Sequence, residues 1–127
     1  KCYCGKKGCV DAYCSALRLA DMEDGILEKF FVHLKEGSEE HKKVWEEYME
    51  NLALTVDNLR MIFDMDVVLG GYVGCYMEPH IPELQKRLSE LDVFERRGNY
   101  VRACGCRSEA SAFGSAIYQM EKYIESI

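Results

Sequence analysis

The longest regular pattern of hydrophobic and polar positions lies between residues 39 and 63. Apolar residues recur there every three or four positions, which predicts one long amphipathic helix with a face turned to a core. The residues of that face are Val44, Trp45, Tyr48, Met49, Leu52, Val56, Leu59 and Phe63. Ser38 stands at the expected N-cap, because its hydroxyl can accept a hydrogen bond from a backbone amide of the first turn.

Two shorter helices are predicted ahead of the long one. The apolar positions of the first are Tyr13, Ala16, Leu17 and Ala20. Those of the second are Ile26, Leu27, Phe30, Phe31 and Leu34. The stretch 21–25 separates the two helices, and Gly37 is expected to end the second, since glycine readily takes the left-handed conformation past a helix C-terminus.

The pattern changes after the long helix. Val67, Val68 and Leu69 form a continuous apolar run, which predicts a short strand buried on both faces, as in a parallel or mixed sheet. A second short strand is predicted at 100–104. Two further helices flank this strand. Their apolar positions are Ile81, Leu84, Leu88 and Leu91 in one, and, from about Ser108, Ala110, Phe113, Ile117, Met120 and Ile124 in the other.

The predicted element order is therefore α-α-α-β-α-β-α, a helix-rich α/β fold with a short sheet. The 127 residues, of which 48% are hydrophobic, suffice for one core, so 1–127 is expected to be a single lobe. Residues 15–127 form its helical and α/β body, behind an N-terminal loop and helix start at 1–14. Because the chain begins at Lys1 rather than at a methionine, it is expected to be part of a longer protein.

The charge and hydropathy of the chain exclude some functions. A net charge of −6 argues against a nucleic-acid surface, because phosphate binding needs clustered Lys and Arg. No stretch approaches the length of a membrane span, and no signal peptide is visible. We therefore expect a cytoplasmic protein without membrane contact.

The seven cysteines are concentrated near the N-terminus rather than spread as in a disulfide framework. Cys2, Cys4 and Cys9 have the spacing Cys-x-Cys-x4-Cys, and Gly5 and Gly8 allow the chain to turn back between them. Three thiolates brought together in this way can bind a zinc ion. The alternative interpretation is a set of unligated surface cysteines in a Gly-Lys turn.

A structural zinc site closes with four ligands, and only three are evident here. Cys14 is the nearest spare thiol, but its neighbours Ala16 and Leu17 favour a packed position inside a helix. We therefore expect the fourth ligand to lie upstream of Lys1, with Cys14 as the alternative.

The run CYCGKKGCVD at residues 2–11 resembles the signature of the ROK (repressor, open reading frame, kinase) family. In that family, three cysteines and a histidine from the preceding loop hold zinc, and an acid two positions after the last cysteine contacts sugar hydroxyls. The resemblance implies that Cys2, Cys4 and Cys9 are structural zinc ligands and that Asp11 binds sugar. The family usually has Glu at this position, so the reach of the carboxylate is shorter by one methylene.

The resemblance continues along the chain. Gly70 and Gly71 look like the family's glycine pair near the nucleotide cleft, and 110–116 is similar to its small-residue helix start. These glycines are therefore candidate cofactor-binding residues, with ATP as the cofactor only if the protein is a kinase.

Three positions depart from the kinase pattern. Arg107 and Ser111 replace glycines that are usual in the family, and Tyr72 follows the glycine pair where a small residue is common. Such side chains can obstruct the approach of a nucleotide phosphate to the backbone.

The resemblance also implies a fold and partners. Family members fold as two lobes of the actin-like ATPase (ribonuclease H-like) type, and this chain would be the C-terminal lobe with an incomplete sheet. A homodimer or higher assembly is expected of the longer protein, and missing strands would leave an apolar face that favours self-association.

Three functions are left open. The departures favour the sugar-sensing region of a transcriptional regulator over part of an ATP-dependent kinase of hexoses or N-acetylhexosamines. A zinc-stabilised interaction module is the third. No catalytic residue is assigned, because the catalytic Asp and phosphate loop of the kinases lie in the N-terminal half, and these 127 residues alone should not be an enzyme.

The remaining candidates are interpreted as structural. His33, His41 and His80 are far apart, and none has a Cys or acidic partner at the helical spacing of metal ligands that distinguishes it from a surface histidine. Cys104 and Cys106 flank a glycine and are expected to be buried free thiols.

Overall fold

The computed structural model describes residues 2–94, 96–105 and 109–127. Over these residues the chain forms α-helices and a short sheet in nearly the predicted order. The elements are α1 Asp11–Cys14, α2 Ala16–Ala20, α3 Leu27–Glu36, α4 Glu39–Phe63, β1 Val67–Leu69, α5 Gly71–Gly74, α6 Ile81–Leu91, β2 Val101–Ala103 and α7 Ala110–Glu125. Single 3-10 turns occupy Asp21–Glu23 and Glu78–His80. The helix-rich α/β class is confirmed, and α5 and the two turns are additions to the prediction.

Helix α4 is the centre of the molecule, since α1, α3 and α6 all pack against it. Its apolar face contributes Trp45, Tyr48, Met49 and Val56 to the core. The remaining core side chains with less than 2% exposure are Phe30, Leu19, Met77, Leu84, Leu88 and Val101. The core is therefore built where α4 meets the shorter helices.

The predicted apolar face of α4 is wrong at its C-terminal end. Leu59 and Phe63 are 40% and 62% exposed, and Val56 is the last buried residue of the helix. Among the described residues, the final two turns thus carry apolar side chains that nothing covers. The helical period predicts which side chains share a face, but only the neighbouring elements decide how far along the helix that face is buried.

The turn between α3 and α4 has the backbone conformation that the sequence predicts. Gly37 has φ of +94°, and its amide and that of Ser38 close the end of α3 on the carbonyls of Leu34 and His33. Ser38 occupies the N-cap position of α4, but its hydroxyl does not bond a backbone amide. It lies instead 2.8 Å from Nδ1 of His41.

The first predicted helix is interrupted. Ser15 has an extended backbone, with ψ of 152°, and its hydroxyl caps α2 by accepting from the amide of Arg18. This break rotates α2 relative to α1, so Leu19 is fully buried while Leu17 is 67% exposed. The prediction of one continuous helix with Leu17 on its core face is therefore wrong.

The sheet consists of β1 and β2, which pair in parallel with Val67 opposite Val101 and Leu69 opposite Ala103. Of the two predicted arrangements, a parallel or a mixed sheet, the structure shows the parallel form. The prediction that β1 is buried on both faces is wrong, because Val68 is 60% exposed. Alternate residues of a strand point to opposite faces, so Val67 and Leu69 pack on the core and Val68 faces away from it.

Gly98 lies where the connection from α6 to β2 crosses the α6 backbone. It is buried, and a Cβ atom at this position would lie 1.9 Å from the carbonyl oxygen of Gln85. The side-chain amide of Gln85 in turn donates to the carbonyl of Val101 at 3.1 Å. Because Gly98 has no side chain, the connection can lie directly against the backbone of α6, and the start of β2 is held next to that helix.

Helix α7 is confirmed from Ala110; its predicted start near Ser108 lies outside the described residues. It has no buried residue. The apolar side chains predicted to share its face are exposed, by 57% at Phe113 and 65% at Ile124. None of the helices in the described part of the chain combines the length and apolar character needed to cross a membrane.

Candidate metal centre

The N-terminal loop doubles back between its cysteines. Gly5 and Gly8 have φ of +84° and +80°, a region that side-chain-bearing residues rarely enter. The amide of Gly5 donates to the carbonyl of Cys2, and the amide of Cys2 donates to the carbonyl of Lys6, both at 2.9 Å. The two glycines therefore have the conformational role that the sequence predicts.

This turn gathers the sulfurs of Cys2, Cys4 and Cys9. Their Sγ atoms all lie within 4.8 Å of one another, and Sγ of Cys4 is 3.6 Å from Sγ of Cys9. Tetrahedral zinc with bonds of about 2.3 Å separates its sulfur ligands by about 3.8 Å. Cys2 is buried, Cys9 is half-buried and Cys4 is exposed. The cluster could hold a metal ion with little rearrangement.

The thiols of the cluster influence one another's pKa. A hydrogen bond from the Lys6 backbone, followed by hydrogen bonds with Cys2 and Cys9, lowers the pKa of Cys4. The pKa of Cys9 is raised, mainly by its hydrogen bond with Cys4, and the negative charge of Asp11 adds to that effect. The loop thus favours a thiolate at Cys4, and a thiolate is the form that binds metals.

Asp11 follows the cluster directly, as the first residue of α1. The amide of Ala12 donates to the carbonyl of Cys9 at 3.0 Å, so the helix starts on the same loop that gathers the thiols. The Asp11 side chain is exposed. The structure therefore presents an exposed carboxylate next to the loop that holds the three sulfurs.

Cys14 does not belong to the metal-binding group formed by the described residues. It is half-buried and packs against the core, and its carbonyl accepts a hydrogen bond from the hydroxyl of Tyr48 at 2.9 Å. Burial raises the pKa of its thiol. These contacts support the interpretation of Cys14 as a packed side chain.

Comparison with known proteins gives separate evidence on the family of this chain. A family model described as ROK family matches residues 1–122. The chain belongs to the ROK family. No curated protein and no solved structure matches the chain. The family membership implied by the cysteine motif is thus confirmed over nearly the whole chain.

The glycine pair of this ROK chain lies at the end of β1. Gly71 has φ of +72° with open space where a Cβ would lie, whereas a Cβ on Gly70 would be 3.7 Å from that of Cys104. Tyr72 follows in α5 and is 74% exposed. Cys104 is half-buried, which agrees with its predicted role, while Cys106 and Arg107 lie outside the described residues.

A cleft of about 750 Å³ opens beside the sheet, between β2 and the N-terminal part of α6. Its polar lining includes Glu78, Gln85, Asn99 and Arg102. Gly70 and Gly71 are not among its lining residues. The candidate cofactor-binding glycines therefore do not line this cleft, although Gly70 adjoins Cys104, which does.

His33 and His41 share an acidic partner that their sequence spacing does not indicate. Oε1 of Glu23 lies 2.8 Å from Nδ1 of His33 and 2.7 Å from Nε2 of His41. The three ligand atoms lie within 4.8 Å of one another. The three residues come from the 3-10 turn, α3 and α4, so no short motif could have revealed them. The packing of α3 on α4 creates the cluster.

His80 is separate from this cluster. It is half-buried and its ring lies 4.7 Å from that of Trp45. Burial lowers its pKa. Its predicted structural role is in keeping with these contacts.

Proposed function

We propose that this chain is the sugar-sensing C-terminal region of a ROK-family transcriptional regulator, in which a structural zinc ion orders the loop beside the sugar. One observation carries the proposal. The turn that gathers Cys2, Cys4 and Cys9 leads directly into α1, whose first residue presents the exposed carboxylate of Asp11. A rigid loop can therefore position an acceptor for sugar hydroxyls.

The donor set suits zinc. Thiolates are preferred ligands of Zn²⁺, and the 3.6 Å separation between the sulfurs of Cys4 and Cys9 is close to that of a tetrahedral site. Lys6 and Lys7 stand in the same loop, where their charge offsets part of the negative charge of the thiolates. The zinc would have a structural role, and its fourth ligand would come from upstream of Lys1.

Replacing one cysteine of the cluster should abolish tight metal binding there. We expect Cys9→Ser to weaken Co²⁺ binding at least about 100-fold, a larger loss than removal of an outer-shell partner causes. The measurement is the thiolate-to-cobalt charge-transfer absorption during a Co²⁺ titration. Cys14→Ala is the matched control and should leave that absorption unchanged. Loss of the band in the Cys14 variant would show that Cys14, and not an upstream residue, is the fourth zinc ligand.

Asp11 would act by accepting hydrogen bonds from sugar hydroxyls. Its two carboxylate oxygens can accept two such bonds, and bonds to a charged group contribute about 1.5–3 kcal/mol each.

The expected fold around the site is the C-terminal lobe of an actin-like ATPase. The exposed apolar side chains of α7 support the further expectation of self-association, as a homodimer or higher assembly.

We expect Asp11→Ala to weaken sugar binding by at least about 100-fold, through the loss of these hydrogen bonds, while the zinc content stays the same. The measurement is calorimetry with a panel of hexoses and N-acetylhexosamines, on protein that includes the residues expected upstream of Lys1. Asp21→Ala, which removes an exposed acid from the neighbouring 3-10 turn, is the control. Undiminished sugar affinity in the Asp11 variant would contradict the proposal.

The alternative is the C-terminal part of an ATP-dependent sugar kinase. The open backbone at Gly71 supports it, since no atom of the described residues lies within 4 Å of its Cβ position, where a phosphate could approach. Tyr72 favours the regulator, because a bulky exposed side chain directly follows that backbone. Phosphorylation of a hexose or N-acetylhexosamine, dependent on ATP and on the residues expected upstream, would decide for the kinase.

A further inference from the structure

A second group of potential metal ligands lies far along the sequence from the cysteines. Glu23 Oε1, His33 Nδ1 and His41 Nε2 lie within 4.8 Å of one another, at the junction of the 3-10 turn, α3 and α4. We infer that Glu23, His33 and His41 form a binding site for a divalent transition metal such as Zn²⁺. This inference is independent of the proposed sugar-sensing function.

The donor types fit such an ion. Two imidazole nitrogens and one carboxylate oxygen are a common set of three protein ligands for Zn²⁺, with water completing the coordination. Tetrahedral zinc separates adjacent N and O ligands by about 3.3 Å. The distances from Glu23 Oε1 to the two nitrogens are 2.8 Å and 2.7 Å, so these two separations need to open by about 0.5 Å. The two nitrogens lie within 4.8 Å of each other.

The metal-free contacts already hold the ligand atoms in place. An ionised carboxylate only accepts hydrogen bonds, so both imidazoles donate to Oε1 of Glu23. Their hydrogen bonds, that of His33 first, lower the pKa of Glu23 and keep it charged near neutral pH. On metal binding each ring would keep one proton, on the nitrogen that does not bind the ion, and the side chains would need little reordering.

His41 has the outer-shell partner that metal-binding histidines usually have. Its Nδ1 lies 2.8 Å from Oγ of Ser38, so a ring bound to metal through Nε2 can donate its other proton to that hydroxyl. The ring also packs on Phe30, with centroids 5.2 Å apart, which fixes its plane. This accounts for Ser38, whose hydroxyl does not cap a backbone amide of α4.

The site is accessible from one side. The side chains of Glu23 and His41 are 14% and 10% exposed, whereas that of His33 is 42% exposed. A metal ion can therefore reach the site past His33, and water can occupy the position on that side. The bound ion would connect the 3-10 turn to both helices and stabilise their junction.

The test uses the whole chain with Cys2, Cys4 and Cys9 replaced by serine, which removes the first cluster. Zn²⁺ is titrated by calorimetry at neutral pH, and Co²⁺ by absorption. We expect one ion per chain, and cobalt bands that lack thiolate charge transfer. Absence of binding, or bands with thiolate charge transfer, would overturn the inference.

Further variants assign the ligands. His33→Ala should weaken Zn²⁺ binding at least 100-fold, and because His33 is the most exposed of the three, its loss should leave the fold intact. Glu23→Gln is a second variant with nearly the same shape and should weaken binding similarly. His80→Ala, which removes a histidine outside the cluster, should leave the affinity unchanged. Equal affinities in the His33 and His80 variants would also overturn the inference.

Discussion

Gly98→Ala is expected to lower the free energy of unfolding by about 3–5 kcal/mol, among the largest effects of any single substitution in this chain. The added methyl group would lie 1.9 Å from the carbonyl oxygen of Gln85 and 2.6 Å from its carbonyl carbon. Both atoms belong to the backbone of α6, which cannot rotate away as a side chain can. The connection must therefore separate from α6, and the contact of Gln85 with Val101 would be strained with it.

Urea unfolding followed by circular dichroism measures this effect. Gly105→Ala is the matched control, because no atom of the described residues lies within 4 Å of its Cβ position and its φ is not in the left-handed region. We expect the control to change the free energy of unfolding by no more than about 0.5 kcal/mol. Similar stabilities of the two variants would contradict the close approach at Gly98.

Phe30→Ala is expected to destabilise the chain by about 3–5 kcal/mol, because it removes a large side chain and leaves a cavity. Phe30 is fully buried. Its ring lies edge-on to Phe31 at 5.4 Å and also packs on Trp45 and His41. The cavity would thus open between α3 and α4, at the centre of the core.

The same urea experiment tests this prediction, with Phe94→Ala as the control. Phe94 is 77% exposed, so its removal should change the free energy of unfolding by no more than about 0.5 kcal/mol. A small loss in the Phe30 variant would mean that α3 does not pack on α4 as described. Such a result would also remove the basis of the histidine cluster.

Much of the fold could be predicted from hydrophobic periodicity. The 3.6-residue period located α3, α4, α6 and α7, and an apolar run beside two glycines located β1. Periodicity failed where one residue changes the backbone, as at Ser15, which divides the first helix in two. It also failed to predict exposure at Phe63 and Val68, because exposure depends on which elements lie opposite.

The two candidate metal sites differ in whether the sequence alone predicts them. Cys2, Cys4 and Cys9 lie within one loop, so their spacing and two glycines sufficed to predict that they meet. Glu23 and His41 come from different elements, and their meeting depends on the packing of α3 against α4. A sequence pattern predicts local geometry well, but it does not predict contacts that form only in the tertiary structure.

The parallel pairing of β1 with β2 imposes an order on folding. Parallel strands cannot be joined by a tight turn, and here the whole of α5 and α6 lies between them. The three-residue ladder is therefore a non-local contact, and we expect it to close late, after the helices between the strands have formed. Val67 donates its amide to the carbonyl of Tyr100, and Cys104 donates its amide to that of Leu69. Hydrogen exchange should accordingly show these two amides gaining protection after those within α4, so the sheet forms at the end of folding and does not begin it.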